Sequence, residues 1–130
     1  MAGNVLLTRD GPIATVTLDR PDRRNSLSDD MLTDLGAAFA ELRDDASTRV
    51  VIITGAPPVF SAGADAGHAK AATPEERRRL LLSRKSQFRR LFERSNALLE
   101  NLEQATIAAV NGHAVGGASS SRSARWRSTT

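Results

Sequence analysis

The first part of the chain alternates between apolar and polar residues in a pattern typical of β-strands. A strand over residues 13–18 would place three apolar side chains on one face, namely Ala14, Val16 and Leu18. Residues 5–9 suit a partner strand, and the turn-forming Asp10-Gly11-Pro12 separates the two runs. This pattern predicts an antiparallel hairpin at the start of the chain.

The spacing of apolar residues then changes to that of an amphipathic helix over residues 29–43, with Met31, Leu35, Phe39 and Leu42 on one face. Ser28 is a good N-cap residue, and the acidic residues that follow it favour the first turn. Val50 to Thr54 is continuously apolar and β-branched, which predicts a parallel strand buried on both faces. A helix followed by such a strand indicates an α/β crossover architecture.

A second helix is predicted from Thr73, with Pro74 at its first position and Glu76 closing a capping box. It extends to about Glu103, either unbroken or with a break near Ser95-Asn96, and a short strand follows over residues 107–110. From Ala118 onward the periodicity ends, and we expect a disordered, basic tail. The predicted organisation is therefore one α/β domain over residues 1–117, followed by a tail over residues 118–130.

Composition narrows the class of protein. The chain has 130 residues, of which 40% are hydrophobic, and it has no cysteine. Disulfides and thiolate metal sites are thereby excluded, and the sequence shows neither a secretory signal nor an apolar run long enough to span a membrane. These features predict a cytoplasmic globular protein with no membrane partner.

The net charge of +3 raises the question of a nucleic-acid surface. Three arginines of the tail account for this excess, namely Arg122, Arg125 and Arg127. A second group of basic residues lies on the predicted second helix, where it is typical of a solvated face. Aromatic residues make up only 4% of the chain, which disfavours base stacking, and we expect no nucleic-acid partner.

Two small-residue loops, each at the end of a predicted buried strand, are the candidate site. The first is Phe60-Ser61-Ala62-Gly63-Ala64-Asp65, and the second is Asn111-Gly112-His113-Ala114-Val115-Gly116-Gly117. Small residues let the backbone approach a ligand closely, and backbone N–H groups there can stabilise a developing negative charge. A glycine-rich loop alone is more often an ordinary turn.

The two loops belong to a set of three motifs whose order along the chain resembles that of a known family. Leu18-Asp19-Arg20-Pro21 with Asn25-Ser26-Leu27, the loop from Phe60 to Asp65, and the segment from Ile107 to Gly117 resemble sequence motifs of the enoyl-CoA hydratase/isomerase (crotonase) family. The resemblance covers about residues 3–117. It implies a crotonase-like α/β spiral of β-β-α units, here incomplete because the chain is shorter than such a spiral.

The resemblance also implies a substrate and a mechanism. Family members bind acyl-CoA thioesters and hold the thioester carbonyl between two backbone N–H groups, which by motif would be those of Ala64 and Gly117. The same resemblance places further residues at the substrate: Ala62, Gly63, Asp65, Ala66, His68 and Gly116. No separate cofactor and no metal are implied, since coenzyme A is part of the substrate, and family members commonly assemble as homotrimers or hexamers, an assembly doubtful for an incomplete chain.

Catalytic acid–base groups are harder to place. His68 and His113 are the only histidines, and neither matches a catalytic position of the family. Arg23 and Arg24 could approach CoA phosphates, although solvated loop charges are the commoner case. Hydratases of this family use two glutamates; Ser120 stands where the first would fall, and the second would lie beyond residue 130, so we expect no hydratase activity.

The sequence of the tail suggests why Ser120 stands where the family has a glutamate. One permitted set of codons for residues 118–124, read two nucleotides later, encodes Leu-Glu-Leu-Ala-Leu-Gly, which resembles the family's continuation. We therefore predict a frameshift at about Gly117-Ala118, which the gene's nucleotide sequence tests; a naturally divergent ending is the alternative. Three functions remain open at this point: an acyl-CoA-processing enzyme, an acyl-CoA- or partner-binding protein without turnover, and a basic adaptor.

Overall fold

The computed structural model describes residues 3–63, 73–114 and 127–128. Strands β1 (Val5–Asp10) and β2 (Ile13–Leu18) form the predicted hairpin, and helix α1 (Asp29–Arg43) follows. Strand β3 (Val50–Gly55), helix α2 (Pro74–Glu100), strand β4 (Ala105–Ala108) and the two-residue strand β5 (Arg127–Ser128) complete the order. The chain thus has the α/β architecture that its hydrophobic pattern predicts.

The five strands form one sheet in the order β1-β2-β3-β4-β5. β1 pairs with β2 in antiparallel fashion, whereas β2, β3, β4 and β5 pair in parallel. Because β2, β3 and β4 are parallel, the segments that follow them leave from the same edge of the sheet. This edge brings the three sequence motifs together.

The core lies between one face of the sheet and the two helices. Ala14, Val16 and Leu18 of β2 are buried, as their spacing predicts, and they share this core with Leu35 and Phe39 of α1. α2 packs on α1 through its C-terminal half, where Ser95 and Leu99 are buried and the Ser95 hydroxyl donates to the Leu32 carbonyl at 3.0 Å. The core is therefore two helices deep on one side of the sheet.

Both predicted helix starts are confirmed. The Ser28 hydroxyl accepts a hydrogen bond from the Met31 N–H at 3.1 Å, and α1 has the bounds its periodicity indicates. The Thr73 hydroxyl accepts from the Glu76 N–H at 3.2 Å at the start of α2. Satisfying these otherwise unpaired N–H groups fixes where each helix begins.

Three predictions about elements are wrong in detail. α2 ends at Glu100 and not at about Glu103, and of the two alternatives left open at Ser95-Asn96 the unbroken helix is found, with the Ser95 hydroxyl bound to α1. The strand predicted over residues 107–110 lies at Ala105–Ala108, since its register follows its pairing with β3. β3 is buried on one face only: Val51 and Ile53 are buried, whereas Val50 and Ile52 are partly exposed because the helical layer lies on the opposite side of the sheet.

The basic residues of α2 lie where the sequence predicts, on a solvated face. All eight are exposed, namely Arg77, Arg78, Arg79, Arg84, Lys85, Arg89, Arg90 and Arg94. No helix in the described ranges is long and apolar enough to cross a membrane. Of the tail, the described pair Arg127–Ser128 forms β5 against β4; the expected disorder and the domain boundary at residue 117 otherwise concern residues outside those described.

Candidate functional site

The candidate site lies at the carboxyl edge of the sheet, where three loops leave the parallel strands. Residues 19–28 follow β2, residues 56–63 follow β3 and residues 109–114 follow β4. We call them the first, second and third loops. Each carries one of the three motifs, so the topology brings together the segments that the sequence identified separately.

The second and third loops are bound to each other through their backbones. The N–H groups of Phe60 and Ser61 both donate to the His113 carbonyl at 3.1 Å, and Ser61 forms a parallel bridge with Ala114. The Asn111 side-chain amide donates to the Gly55 carbonyl at 2.8 Å. These bonds confirm that the two glycine-bearing loops converge, as far as the described residues reach.

Two glycines permit close backbone packing at this edge of the sheet. A Cβ atom on Gly112 would lie 2.5 Å from the Pro58 carbonyl oxygen, and one on Gly55 would collide with the backbone of Phe60. Because the obstructing atoms belong to the backbone, no side-chain rotation could relieve the clash. Gly112 is thus required by the contact between the third and second loops, and Gly55 by the turn of the second loop back toward the end of β3.

The first loop is attached to the second by Asn25, which is fully buried. Its side-chain amide donates to the carbonyls of Ala56 at 2.8 Å and Val59 at 3.0 Å. Its side-chain oxygen accepts from the Arg20 N–H at 2.8 Å. Asn25 has a φ of 53°, a left-handed conformation that asparagine tolerates better than most residues.

Ser61 forms the second attachment between the same two loops. The buried Ser61 hydroxyl donates to the Asn25 carbonyl at 2.7 Å and accepts from the Gly63 N–H at 3.1 Å. The Gly63 carbonyl accepts from the Leu27 N–H at 2.7 Å, and the Ala62 N–H donates to the Arg24 carbonyl at 2.9 Å. Residues 61–63, which lead to residue 64, are thereby hydrogen-bonded to residues 24, 25 and 27 of the first loop.

The predicted site residues fall into two groups. Ala62 and Gly63 lie in the second loop at the converging edge, with Gly63 in a left-handed conformation at a φ of 87°. The others lie outside the described residues, namely Ala64, Asp65, Ala66, His68, Gly116 and Gly117. Ser120 and the point of the predicted frameshift, at about Gly117-Ala118, also lie outside them. Their roles stay predictions.

The remaining candidates are located by the structure. His113 is exposed, and what it contributes to the loop is its backbone carbonyl. Arg23 and Arg24 are exposed on the first loop, close to the sheet's carboxyl edge. No group of three or more metal-binding side chains is found within the described ranges.

Asn25 and Ser61 are the site residues to which sequence reasoning assigned no role. Both belong to the recognised motifs, but the bonds by which they join the first and second loops span 31 to 36 residues of the chain. Short-range spacing gives no sign of such bonds. A polar residue amid small residues at a strand end was the only available indication.

Comparison with known proteins agrees with this arrangement. The family model described as enoyl-CoA hydratase/isomerase matches residues 8–120. A short-chain-enoyl-CoA hydratase of Clostridium acetobutylicum is 38% identical over 115 residues, which are 88% of this chain and 41% of that protein. The chain thus spans about two fifths of the length of this relative.

Solved structures show the same relationship. An enoyl-CoA hydratase from Bacillus anthracis aligns with a TM-score of 0.69 at 33% identity, covering 88% of this chain and 42% of that one. A monofunctional enoyl-CoA isomerase from M. smegmatis aligns with a TM-score of 0.67 at 35% identity, covering 90% and 44%. With its ordered motifs, its sheet topology and these matches, the chain belongs to the enoyl-CoA hydratase/isomerase family and has the fold of the first part of a crotonase domain.

Proposed function

We propose that this chain binds an acyl-CoA thioester and holds the thioester carbonyl oxygen between the backbone N–H groups of Ala64 and Gly117. The observation that supports this most is the set of bonds joining the second and third loops at one sheet edge. Residues 64 and 117 follow these two joined segments, so donors at both positions would arise from loops already held together. Ala62, Gly63, Asp65, Ala66, His68 and Gly116 would surround the acyl and pantetheine ends of the ligand.

The chemistry of such a pair of donors is electrostatic. A thioester whose α- or β-carbon reacts develops negative charge on its carbonyl oxygen, as in an enolate. Two fixed N–H dipoles stabilise that charge more than they stabilise the neutral carbonyl. In other enzymes the removal of one such donor raises the barrier by about 2.7–4 kcal/mol.

We further propose that the chain binds the thioester without hydrating it. Addition of water across an enoyl double bond needs a carboxylate to activate the water and an acid to protonate the α-carbon. Ser120 stands where the motif resemblance places the first of these carboxylates. A serine hydroxyl with no base beside it does not accept a proton near neutral pH.

Calorimetry with butanoyl-CoA and with free CoA tests the donors. We expect the thioester to bind more tightly than CoA, and Ala64→Pro, which removes the N–H, to weaken thioester binding about tenfold or more. Ala64→Ser is the matched control, because it changes the same position and keeps the N–H. Equal affinities of the unsubstituted chain for butanoyl-CoA and CoA would contradict the proposed donors.

Ultraviolet absorbance of 2-butenoyl-CoA tests the second statement. We expect binding of this enoyl thioester without loss of the absorbance of its conjugated double bond. Turnover by the purified chain would instead establish an acyl-CoA-processing enzyme and would show that another group replaces the carboxylate.

A further inference from the structure

The Ser61 hydroxyl is the one side-chain group that contacts both the first loop and the backbone of Gly63 among the described residues. Ser61 has no exposed surface. Its hydroxyl uses its single proton to bond the Asn25 carbonyl at 2.7 Å, so its lone pairs are available to accept the Gly63 N–H at 3.1 Å. The hydroxyl therefore connects two backbone groups, the Asn25 carbonyl of the first loop and the Gly63 N–H.

Gly63 is consequently held at both of its polar groups. Its N–H donates to Ser61 Oγ, and its carbonyl accepts from the Leu27 N–H at 2.7 Å. With a φ of 87° and no Cβ, a glycine left without these bonds would have access to many conformations. The two bonds restrict it to one.

The orientation of Gly63 has a consequence for the next peptide unit. The Gly63 carbonyl and the N–H of residue 64 belong to the same planar unit, and in a trans unit they point in opposite directions. With the carbonyl held on the Leu27 N–H, a trans unit would direct the following N–H away from Leu27. That N–H is the Ala64 donor of the proposed function, on which the present inference rests.

We propose that Ser61 is a positioning residue, which sets the direction of the Ala64 N–H toward a bound thioester carbonyl by holding Gly63 against the first loop. Asn25 supports Ser61 from the other side. Its side-chain bonds to Arg20, Ala56 and Val59 fix its left-handed backbone, and this backbone presents the carbonyl that receives the Ser61 proton. Ser61 needs no contact with the ligand for this role.

Amide hydrogen exchange of the complete chain tests the bond itself. In Ser61→Ala we expect the Gly63 amide to exchange at least about tenfold faster, because its acceptor is lost. Ser95→Ala is the matched control: Ser95 is also buried and its hydroxyl also donates to one backbone carbonyl, but it lies between α1 and α2. It should leave the exchange of Gly63 unchanged relative to the core amides.

A second variant keeps the test decisive if Ser61→Ala does not fold. Ser61→Cys is nearly the same size, and its thiol is a weak donor and acceptor. We expect it to fold and to show faster Gly63 exchange. Unchanged Gly63 exchange in every folded Ser61 variant would overturn the proposal.

The ligand-bound readout is the carbonyl stretching frequency of butanoyl-CoA carrying ¹³C at the thioester carbonyl. We expect binding to the unsubstituted chain to lower this frequency, and Ser61→Ala or Ser61→Cys to reduce the lowering by at least about half while CoA affinity stays within about twofold. Ser95→Ala should keep the full lowering. A full lowering in the Ser61 variants would overturn the positioning role.

The two readouts separate this inference from the proposed function. If the unsubstituted chain produces no lowering of the carbonyl frequency, the proposed donors are wrong and the positioning role falls with them, whatever the exchange result. If the lowering is present but insensitive to Ser61, the donors stand and only the positioning role is wrong.

Discussion

Gly112 and Asn25 show how single positions determine the geometry of the candidate site. Gly112 lies where the third loop passes the second, and the space a Cβ would need is taken by the Pro58 carbonyl oxygen and Val59 Cα. Asn25 fills the opposite role, because its buried side-chain amide donates to the carbonyls of Ala56 and Val59 in the second loop. One residue permits contact between loops and the other satisfies the polar groups that the contact buries.

We therefore expect Gly112→Ala to lower the free energy of unfolding by about 1–3 kcal/mol, since the added methyl meets backbone atoms that can move only together. Gly3→Ala is the control, because a Cβ on Gly3 would meet nothing within 4 Å. Urea unfolding measures both. Equal stabilities of the two variants would show that the second and third loops separate at little cost.

At the scale of elements, the sequence predicted what local interactions determine. The bounds of α1 follow from Ser28 and from the spacing of Met31, Leu35 and Phe39, all of which act within a few residues. The register of β4 depends instead on its pairing with β3, and the burial of β3 depends on which side the helices occupy. The bonds of Asn25 and Ser61 were not predictable for the same reason, because they join loops that only the complete sheet brings together.

The turn between α1 and β3 carries the clearest electrostatic effect in the described residues. Asp45 accepts hydrogen bonds from the Ser47 hydroxyl, the Thr48 hydroxyl and the Ser47 N–H, and it faces Arg9 of β1. These bonds, that of the Ser47 hydroxyl above all, hold the pKa of Asp45 well below its ordinary value and outweigh the opposing effect of burial. The charged carboxylate therefore stabilises the folded chain.

The pH dependence of this effect has a definite sign. Because the pKa is lower in the folded chain, the unfolded chain binds the proton first as the pH falls below about 4, its ordinary value. The stabilisation is thus present in full above that pH and is lost as the pH falls toward the folded pKa. We expect Asp45→Asn to be less stable than the unsubstituted chain at pH 7 and the difference to narrow below about pH 4.

Asp44→Asn is the matched control for this measurement, since the neighbouring Asp44 is exposed and contacts only Arg43, at 3.5 Å, among the ion pairs of the described residues. Urea unfolding between neutral and acidic pH compares the variants. A difference between Asp45→Asn and the unsubstituted chain that stays constant with pH would show that the carboxylate's charge is not what stabilises the turn.

At the scale of the whole molecule, helices cover one face of the sheet, and no described element packs on the other, which we call the open face. Helix α1 packs on the face that carries Ala14, Val16, Val51 and Ile53, and α2 packs on α1. The opposite face carries apolar side chains that stay partly exposed, with Leu6 at 49% and Ile13 at 38% exposure. A parallel sheet is normally covered on both faces, so we expect this open face to take part in self-association.

The same substitution on neighbouring residues tests this asymmetry, because Ile52 points to the open face and Ile53 to the covered one. Threonine keeps the β-branched shape that suits a strand, so Ile52→Thr should reduce concentration-dependent light scattering and change the melting temperature little. Ile53→Thr buries a hydroxyl and leaves unfilled volume in the core, which should lower the free energy of unfolding by about 2 kcal/mol or more. Unchanged scattering in Ile52→Thr would show that association proceeds through another surface. A large loss of stability in Ile52→Thr would show instead that the open face is covered in solution.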